Sequence, residues 1–400
     1  MNTSRQFGDL LITLTSQYQL RYPDCGSGSD MDGSFWHPLG EGDFRPLGSI
    51  CVPGYDDMNN NRASMLFANA PGQTALVSPV DYAWIWDDSG SGADWDGSVW
   101  RPIAPNGYVA LGDVANPNHD KPSLNDVWCV RADLVTSGVF SGSCAWQDRG
   151  SGGDHDVAGW AIEVGDPSKD PQMGVFAPDT FFAATNYDGP PNTGFAMVVQ
   201  VPIVADVGQA PTRPQLDGRN APDDQTQVVK DRSVTLPFTA LFDRNDRPSL
   251  DKIANPFCTV ERWVGWSLVL FDDNTTSAAQ STSKATTVGI TETSSESFAH
   301  SVGIKFGYET GAVTKFKVEL NYQFTYTTSS STANLQSATV TRSLNTPAGV
   351  AAALWTATYK FKVIRADGAL IGRDLTFDVN SVAHDQYPPV APGVPKAMAA

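Results

Sequence analysis

Apolar residues in this chain recur mostly at every second position, not at every third or fourth. Val302, Ile304, Phe306 and Tyr308 alternate with Gly303, Lys305 and Gly307. Phe316, Val318, Leu320, Tyr322, Phe324 and Tyr326 alternate with Lys317, Glu319, Asn321, Gln323 and Thr325. A period of two gives a strand one apolar and one polar face. These segments therefore predict two strands joined near Glu309-Thr310-Gly311-Ala312. Leu10 to Leu14 and Tyr18 to Tyr22 predict shorter strands, and further strands are expected over 337–342, 353–364 and 370–379. No extended i, i+3, i+4, i+7 stripe is present, so the expected fold class is all-β.

A second periodicity is much longer. The stretch Trp86-Asp87-Asp88-Ser89-Gly90-Ser91-Gly92-Ala93-Asp94-Trp95-Asp96 has a close copy from Tyr22 to Asp32 and an eroded one from Trp146 to Asp156. The shared pattern is aromatic-x-Asp-x-Gly-Ser-Gly-x-Asp-x-Asp, with Trp36, Trp100 and Trp160 four residues after the last Asp. Leu47-Gly48 and Leu111-Gly112 stand at the same offset after the first two of these tryptophans, so the repeat is longer than its loop. Three such units, none able to bury its own apolar face, are expected to pack about a pseudo-threefold axis. About sixty residues per unit suits one four-stranded sheet, and three such sheets about an axis make a β-prism.

The domains expected are a triplicated β-prism over 1–207, a linker over 208–232, a second β module over 233–386 and a loosely held tail over 387–400. Pro-rich, apolar-poor composition marks the linker, and an insertion from Gly165 to Met173 interrupts the third copy. The formal charge of −17 opposes simple electrostatic binding to nucleic acid or an anionic bilayer. Five cysteines, Cys25, Cys51, Cys129, Cys144 and Cys258, show no metal-binding spacing. Residues 1–20 lack a signal-peptide pattern and no run of 18 apolar residues occurs. The expectation is a soluble chain, released without a recognisable signal peptide.

The candidate ligand-binding residues are Asp24, Ser27, Asp30 and Asp32 in the first loop, Asp88, Ser91, Asp94 and Asp96 in the second, and Asp148, Ser151, Asp154 and Asp156 in the third. Their oxygens suit sugar hydroxyls, with Trp36, Trp95 or Trp100 as a flat apolar face. They equally suit a divalent cation, calcium or magnesium, at Asp88, Asp94 and Asp96; no cofactor is otherwise required. The alternative is that Asp and Ser cap the loops' own amides, as in Asx-turns. An EF-hand is rejected because the flanking helices are missing. Three equivalent sites favour multivalent binding over catalysis, and the five scattered histidines form no hydrolase motif, so no enzymatic activity is expected.

The alternating hairpin, with its Ser/Thr-rich flanks, is long enough to cross a bilayer core as tilted strands, which takes about 9–11 residues. One hairpin leaves amides unpaired in lipid, whereas several chains closing a barrel satisfy them. The plain alternative is an amphipathic hairpin covering a β-sandwich.

The triplicated Asp-x-Gly-Ser-Gly-x-x-x-Asp string, with Trp100-Arg101-Pro102 and the run Gly107 to Val114, resembles the β-prism domains of the vacuolar-protein-sorting-associated repeat family. Similar prisms are receptor-binding domains of some perforin-like insecticidal proteins. The segment from Ser281, the hairpin, the run Asn321 to Thr328 and Asn345-Thr346-Pro347-Ala348-Gly349 together resemble the aerolysin and epsilon-toxin superfamily of β-pore-forming proteins. These resemblances imply a toxin, plausibly insecticidal. Its prism would bind a cell-surface receptor or glycan, and its module would oligomerise on the target membrane. Val302, Ile304, Phe306, Tyr308, Phe316, Val318, Leu320, Tyr322 and Phe324 would then face lipid. The alternative function is a non-lytic, lectin-like adhesin.

Overall fold

The computed structural model describes residues 2–165, 173–290 and 337–389, and its elements are almost all β-strands. The nine hairpin residues from Val302 to Phe324 lie outside the described residues. The chain folds as two compact units, residues 1–204 with 236–258, and residues 205–235 with 259–400.

In the first unit each repeat makes two small antiparallel sheets. One carries the motif loop: Tyr18–Pro23, Gly33–Pro38 and Ile50–Pro53 in the first repeat, and Asp81–Asp87, Ser98–Ile103 and Val114–Asn116 in the second. In the third it is Val139–Phe140, Trp146–Gln147, Ala158–Glu163 and Phe181–Ala184. The strands before and after pair with each other instead: Leu10–Thr15 runs in register with Ser64–Asn69, and Val135–Ser137 with Met197–Pro202. One four-stranded sheet per repeat was expected. The ends of each repeat clasp one another, and that closure divides the sheet in two.

The aromatic residues that open the motifs form the centre. Tyr22, Trp86 and Trp146 are each at most 1 % exposed. Their ring centroids lie 5.5, 5.9 and 6.2 Å apart, all edge-on, the geometry that aromatic quadrupoles favour. Phe35, Val99, Val157 and Phe181 pack around them. The three repeats thus share one core, which none could enclose alone.

Two buried polar contacts tie this unit together further. Asp179 accepts from Arg62 at 2.5 Å, from Arg244 at 3.1 Å and from the Ser64 hydroxyl at 2.7 Å. Burial alone would raise its carboxyl, but Arg244 and Arg62 outweigh that and hold it down to about 2. His37 lies between Ser49 Oγ, 2.9 Å from Nδ1, and the Asp126 carbonyl, 3.3 Å from Nε2. Ser49 Oγ in turn accepts from Ala115 N at 3.0 Å, which joins the first repeat to the second.

The second unit holds a five-stranded sheet in the order Asp206–Val207, Val229–Pro237, Phe257–Asp273, Ala351–Arg365, Leu370–Tyr387. A two-stranded ribbon, Gln280–Val288 with Ala338–Thr346, accompanies it. The stretch 208–232, read as a linker, belongs to this unit. Leu216 is buried beside Trp355 and Ala383, and its N–H donates to Asp385 at 2.8 Å. Proline-rich composition suits a solvated linker and also an irregular strip across a sheet, because few backbone donors then need partners. Residues 236–258, expected in the second module, fold with the first unit. Tyr387, expected to begin a loose tail, is paired with Ala351.

Two outcomes follow for stability. Asp179→Asn leaves two arginines short of their counter-charge and should cost about 3–5 kcal/mol in urea unfolding. Burial first, and then Arg21, depresses the His37 imidazole to about 3 from an ordinary 6.5. Its contribution is therefore complete above pH 6.5 and is lost as pH falls toward 3. Between pH 7.5 and 4.5 the wild type should lose about 2.5–3 kcal/mol more than His37→Gln, as compared by urea unfolding at both pH values.

Candidate functional site

Each motif loop is closed by its first aspartate. Asp24, Asp88 and Asp148 are buried, and their Oδ1 atoms accept from Gly33 N at 3.0 Å, Gly97 N at 2.8 Å and Val157 N at 2.8 Å. The aspartates' own N–H groups donate back to the carbonyls of the same three residues at 3.1 Å. Ser27, Ser91 and Ser151 accept from the backbone N two residues on, at 3.2, 3.1 and 3.1 Å. These six side chains are used in capping the loops themselves, the Asx- and Ser-turn arrangement that such residues favour.

The middle aspartates link one loop to another. Asp94 N donates to Cys25 O at 2.8 Å, Asp154 N to Ser89 O at 2.8 Å, and Asp30 N to Arg149 O at 2.6 Å. The result is a closed cycle, second loop to first, third to second, first to third. The three carboxylates follow the same path. Asp94, Asp154 and Asp30 lie over Gly26, Gly90 and Gly150, where a Cβ would come within 2.9 Å of an oxygen. Those glycines also sit at φ of 81, 82 and 93°, so both conformation and space require glycine there.

The motif aromatics complete the cycle beneath. Trp146 Nε1 donates to Asp24 Oδ2 at 2.6 Å, and Trp86 Nε1 to Asp148 Oδ2 at 3.1 Å. Tyr22 occupies the third such place and hydrogen-bonds to Ser91. A Cβ on Gly33 or Gly97 would overlap the Trp146 or Tyr22 ring.

The last aspartates are exposed, and each meets a residue outside the motif. The Tyr55 hydroxyl donates to Asp24 at 2.5 Å and Asp32 at 3.1 Å. The Tyr187 hydroxyl does the same to Asp148 at 2.8 Å and Asp156 at 2.9 Å. Burial and the hydrogen bonds to these carboxylates raise both phenols, which keeps them as donors. In the second loop the place is taken by His119, whose Nε2 lies 2.7 Å from Asp88 Oδ1. The hydrogen bond to Asp88 raises the imidazole pKa. Asp88 and Asp96 thus meet His119, while Asp94, grouped with them as a cation set from sequence, turns to Gly26.

Residues 7–162 match the family model of vacuolar protein sorting-associated protein 62. Among solved structures, the chain is similar to GNIP1Aa from Chromobacterium piscinae. The two are 27 % identical with a TM-score of 0.38, over 46 % of this chain and 35 % of that one. The chain therefore spans about a third of the length of GNIP1Aa. It is also similar to Cry35Ab1, at 10 % identity and a TM-score of 0.34, over 96 % of this chain and 91 % of that one. No curated protein matches the sequence.

Tyr55, His119 and Tyr187 were not among the residues expected, although a signal exists. Tyr55 and His119 each stand 31 residues after their aspartate, and Tyr187 stands 39 after its own because of the third-copy insertion. Of the aromatic platforms considered, Trp36 and Trp100 are buried and donate to Ser34 and Ser98 hydroxyls at 3.0 and 2.8 Å. Trp95 is the exposed one, at 51 %.

The third copy lacks that serine. Ala158 stands at the position of Ser34 and Ser98, and Trp160 Nε1 is buried without a partner. Ala158→Ser should restore the acceptor and stabilise the unit by about 1 kcal/mol in urea unfolding.

Proposed function

We propose that this chain is a pore-forming toxin of the aerolysin-like type, with insects as the plausible target. The first unit recognises a cell-surface receptor or glycan. The second assembles with copies of itself on the target membrane and contributes one amphipathic hairpin to a transmembrane β-barrel. No catalytic step is part of this reading.

The observation that carries it is the ribbon of the second unit. Gln280–Val288 and Ala338–Thr346 pair antiparallel over nine register positions, from Gln280 with Thr346 to Val288 with Ala338. The chain that leaves Val288 therefore returns at Ala338, its two ends side by side. The alternating segment lies between those ends in sequence. A tethered hairpin of this kind can extend without unravelling the sheet that anchors it.

The surface of the ribbon fits the same reading. Ser281, Thr282, Ser283 and Lys284 are exposed, as are Ala338, Thr339 and Thr341, whereas Val288 and Leu344 are buried. Hydroxyl-rich strands remain soluble before assembly and suit a water-filled lumen afterwards. Among the described residues no helix is long and apolar enough to cross a membrane, and the proposed crossing uses strands. The net charge of −17 favours a receptor over anionic lipid as the first point of attachment.

Dye release from liposomes of target-cell lipid extract, read beside the size of the membrane-bound protein, tests this. The wild type should release dye and form a detergent-resistant oligomer. Phe306→Asp and Val318→Asp should abolish release while leaving binding intact, since every chain of the barrel would then carry a charge on its lipid face. Binding without release or oligomer, even after protease treatment, would instead mark a non-lytic adhesin.

A further inference from the structure

The threefold repeat supplies its own internal comparison, and one loop departs from the other two. In the first and third loops a tyrosine hydroxyl bridges the first and last aspartates. In the second, His119 stands at that position, and among the described residues Asp96 accepts no hydrogen bond. Asp88 is also short of donors. The Oδ2 atoms of Asp24 and Asp148 each take an indole N–H. Tyr22 replaces that tryptophan, and among the described residues the two donors to Asp88, Gly97 N and His119 Nε2, both reach Oδ1 and leave Oδ2 without a hydrogen bond. A carboxylate that is mostly buried, with one oxygen left open beside an imidazole, can take an added cation there.

We propose that His119, Asp88 and Asp96 form a binding site for one divalent transition-metal ion of the zinc type. Their ligand atoms lie within 4.8 Å of one another, the single such group among the described residues. An imidazole with two carboxylates suits zinc better than calcium, which prefers oxygen alone. His119 and Asp96 are exposed, so their rotamers are free to draw in around the buried Asp88. Three protein ligands leave the fourth position open to water or to a donor from a partner. The ion would do for the second loop what the tyrosines do for the others, bridging its first and last aspartates. The site is asymmetric: one of three loops carries it.

Calorimetric titration of the full chain with Zn2+, Ca2+ and no other added ion tests this, alongside His119→Tyr and Asp96→Asn. His119→Tyr installs the residue that the other two loops carry and should fold with an unchanged melting temperature. The wild type should bind one equivalent of Zn2+, and either variant should weaken it by at least ~10-fold. Co2+ in place of zinc should give a spectrum without a thiolate charge-transfer band, since no cysteine is a ligand. Absence of zinc binding by the wild type would overturn the site. Equal affinity in His119→Tyr would do so too, placing the zinc on other ligands. Retained affinity in Asp96→Asn alone would overturn the three-ligand set, and calcium displacing zinc would overturn the metal class.

Discussion

The first unit depends on one contact made three times, an aspartate carboxylate that accepts the backbone N–H nine residues ahead. A charge-assisted bond to a buried amide is stronger than a neutral one, and here it fixes the ends of a glycine-rich loop that has little else to hold it. Once Asp24, Asp88 and Asp148 are set, the preceding aromatic is aimed inward, two residues away. Tyr22, Trp86 and Trp146 then meet edge to edge. Loop geometry and core packing are therefore one arrangement. A carboxylate that caps a loop also positions the ring that fills the centre, and the indole of that ring returns a hydrogen bond to the carboxylate of another repeat.

This makes the motif largely a folding device. Its conspicuous acids divide by depth. The first aspartate of each loop is buried, and of the two exposed ones the second ties neighbouring loops while the last meets a residue outside the motif. Besides Tyr22 for Trp86 and Trp146 in the core and Ala158 for Ser34 and Ser98 beside it, variation falls at the outer layer, where His119 stands for Tyr55 and Tyr187. Recognition chemistry can change there without disturbing the core. The exposed Trp95 lies in the same layer.

The all-β class, the triplication and the aromatic positions were legible because they are written in local spacing. Alternation has a period of two and the motif a period near sixty, and both survive inspection of one sequence. What was not legible is non-local. The pairing of Leu10–Thr15 with Ser64–Asn69 joins strands fifty residues apart, and nothing in either strand forbids joining the hairpin between them. The role of His119 depends on a strand register that brings it back to Asp88. The stretch 208–232 misled for another reason: proline-rich composition reports few backbone donors, and both a free linker and a strip lying on a sheet satisfy that. The fate of Asp24 was open because the same Asp and Ser atoms can serve a ligand or the loop, and only burial distinguishes the two.

The hydrogen bonds between loops run in one rotational sense, from Asp94 to Cys25, Asp154 to Ser89 and Asp30 to Arg149. A cycle of this kind has a fixed membership. An open array such as a solenoid gains or loses units at its ends by tandem duplication, because each unit needs only one neighbour. Here a fourth copy would find both neighbours already engaged, and a lost copy would leave one loop with an unanswered N–H and the other with an unanswered carbonyl. The number three is therefore enforced by geometry, so this half of the chain evolves by altering individual copies and not by changing their count.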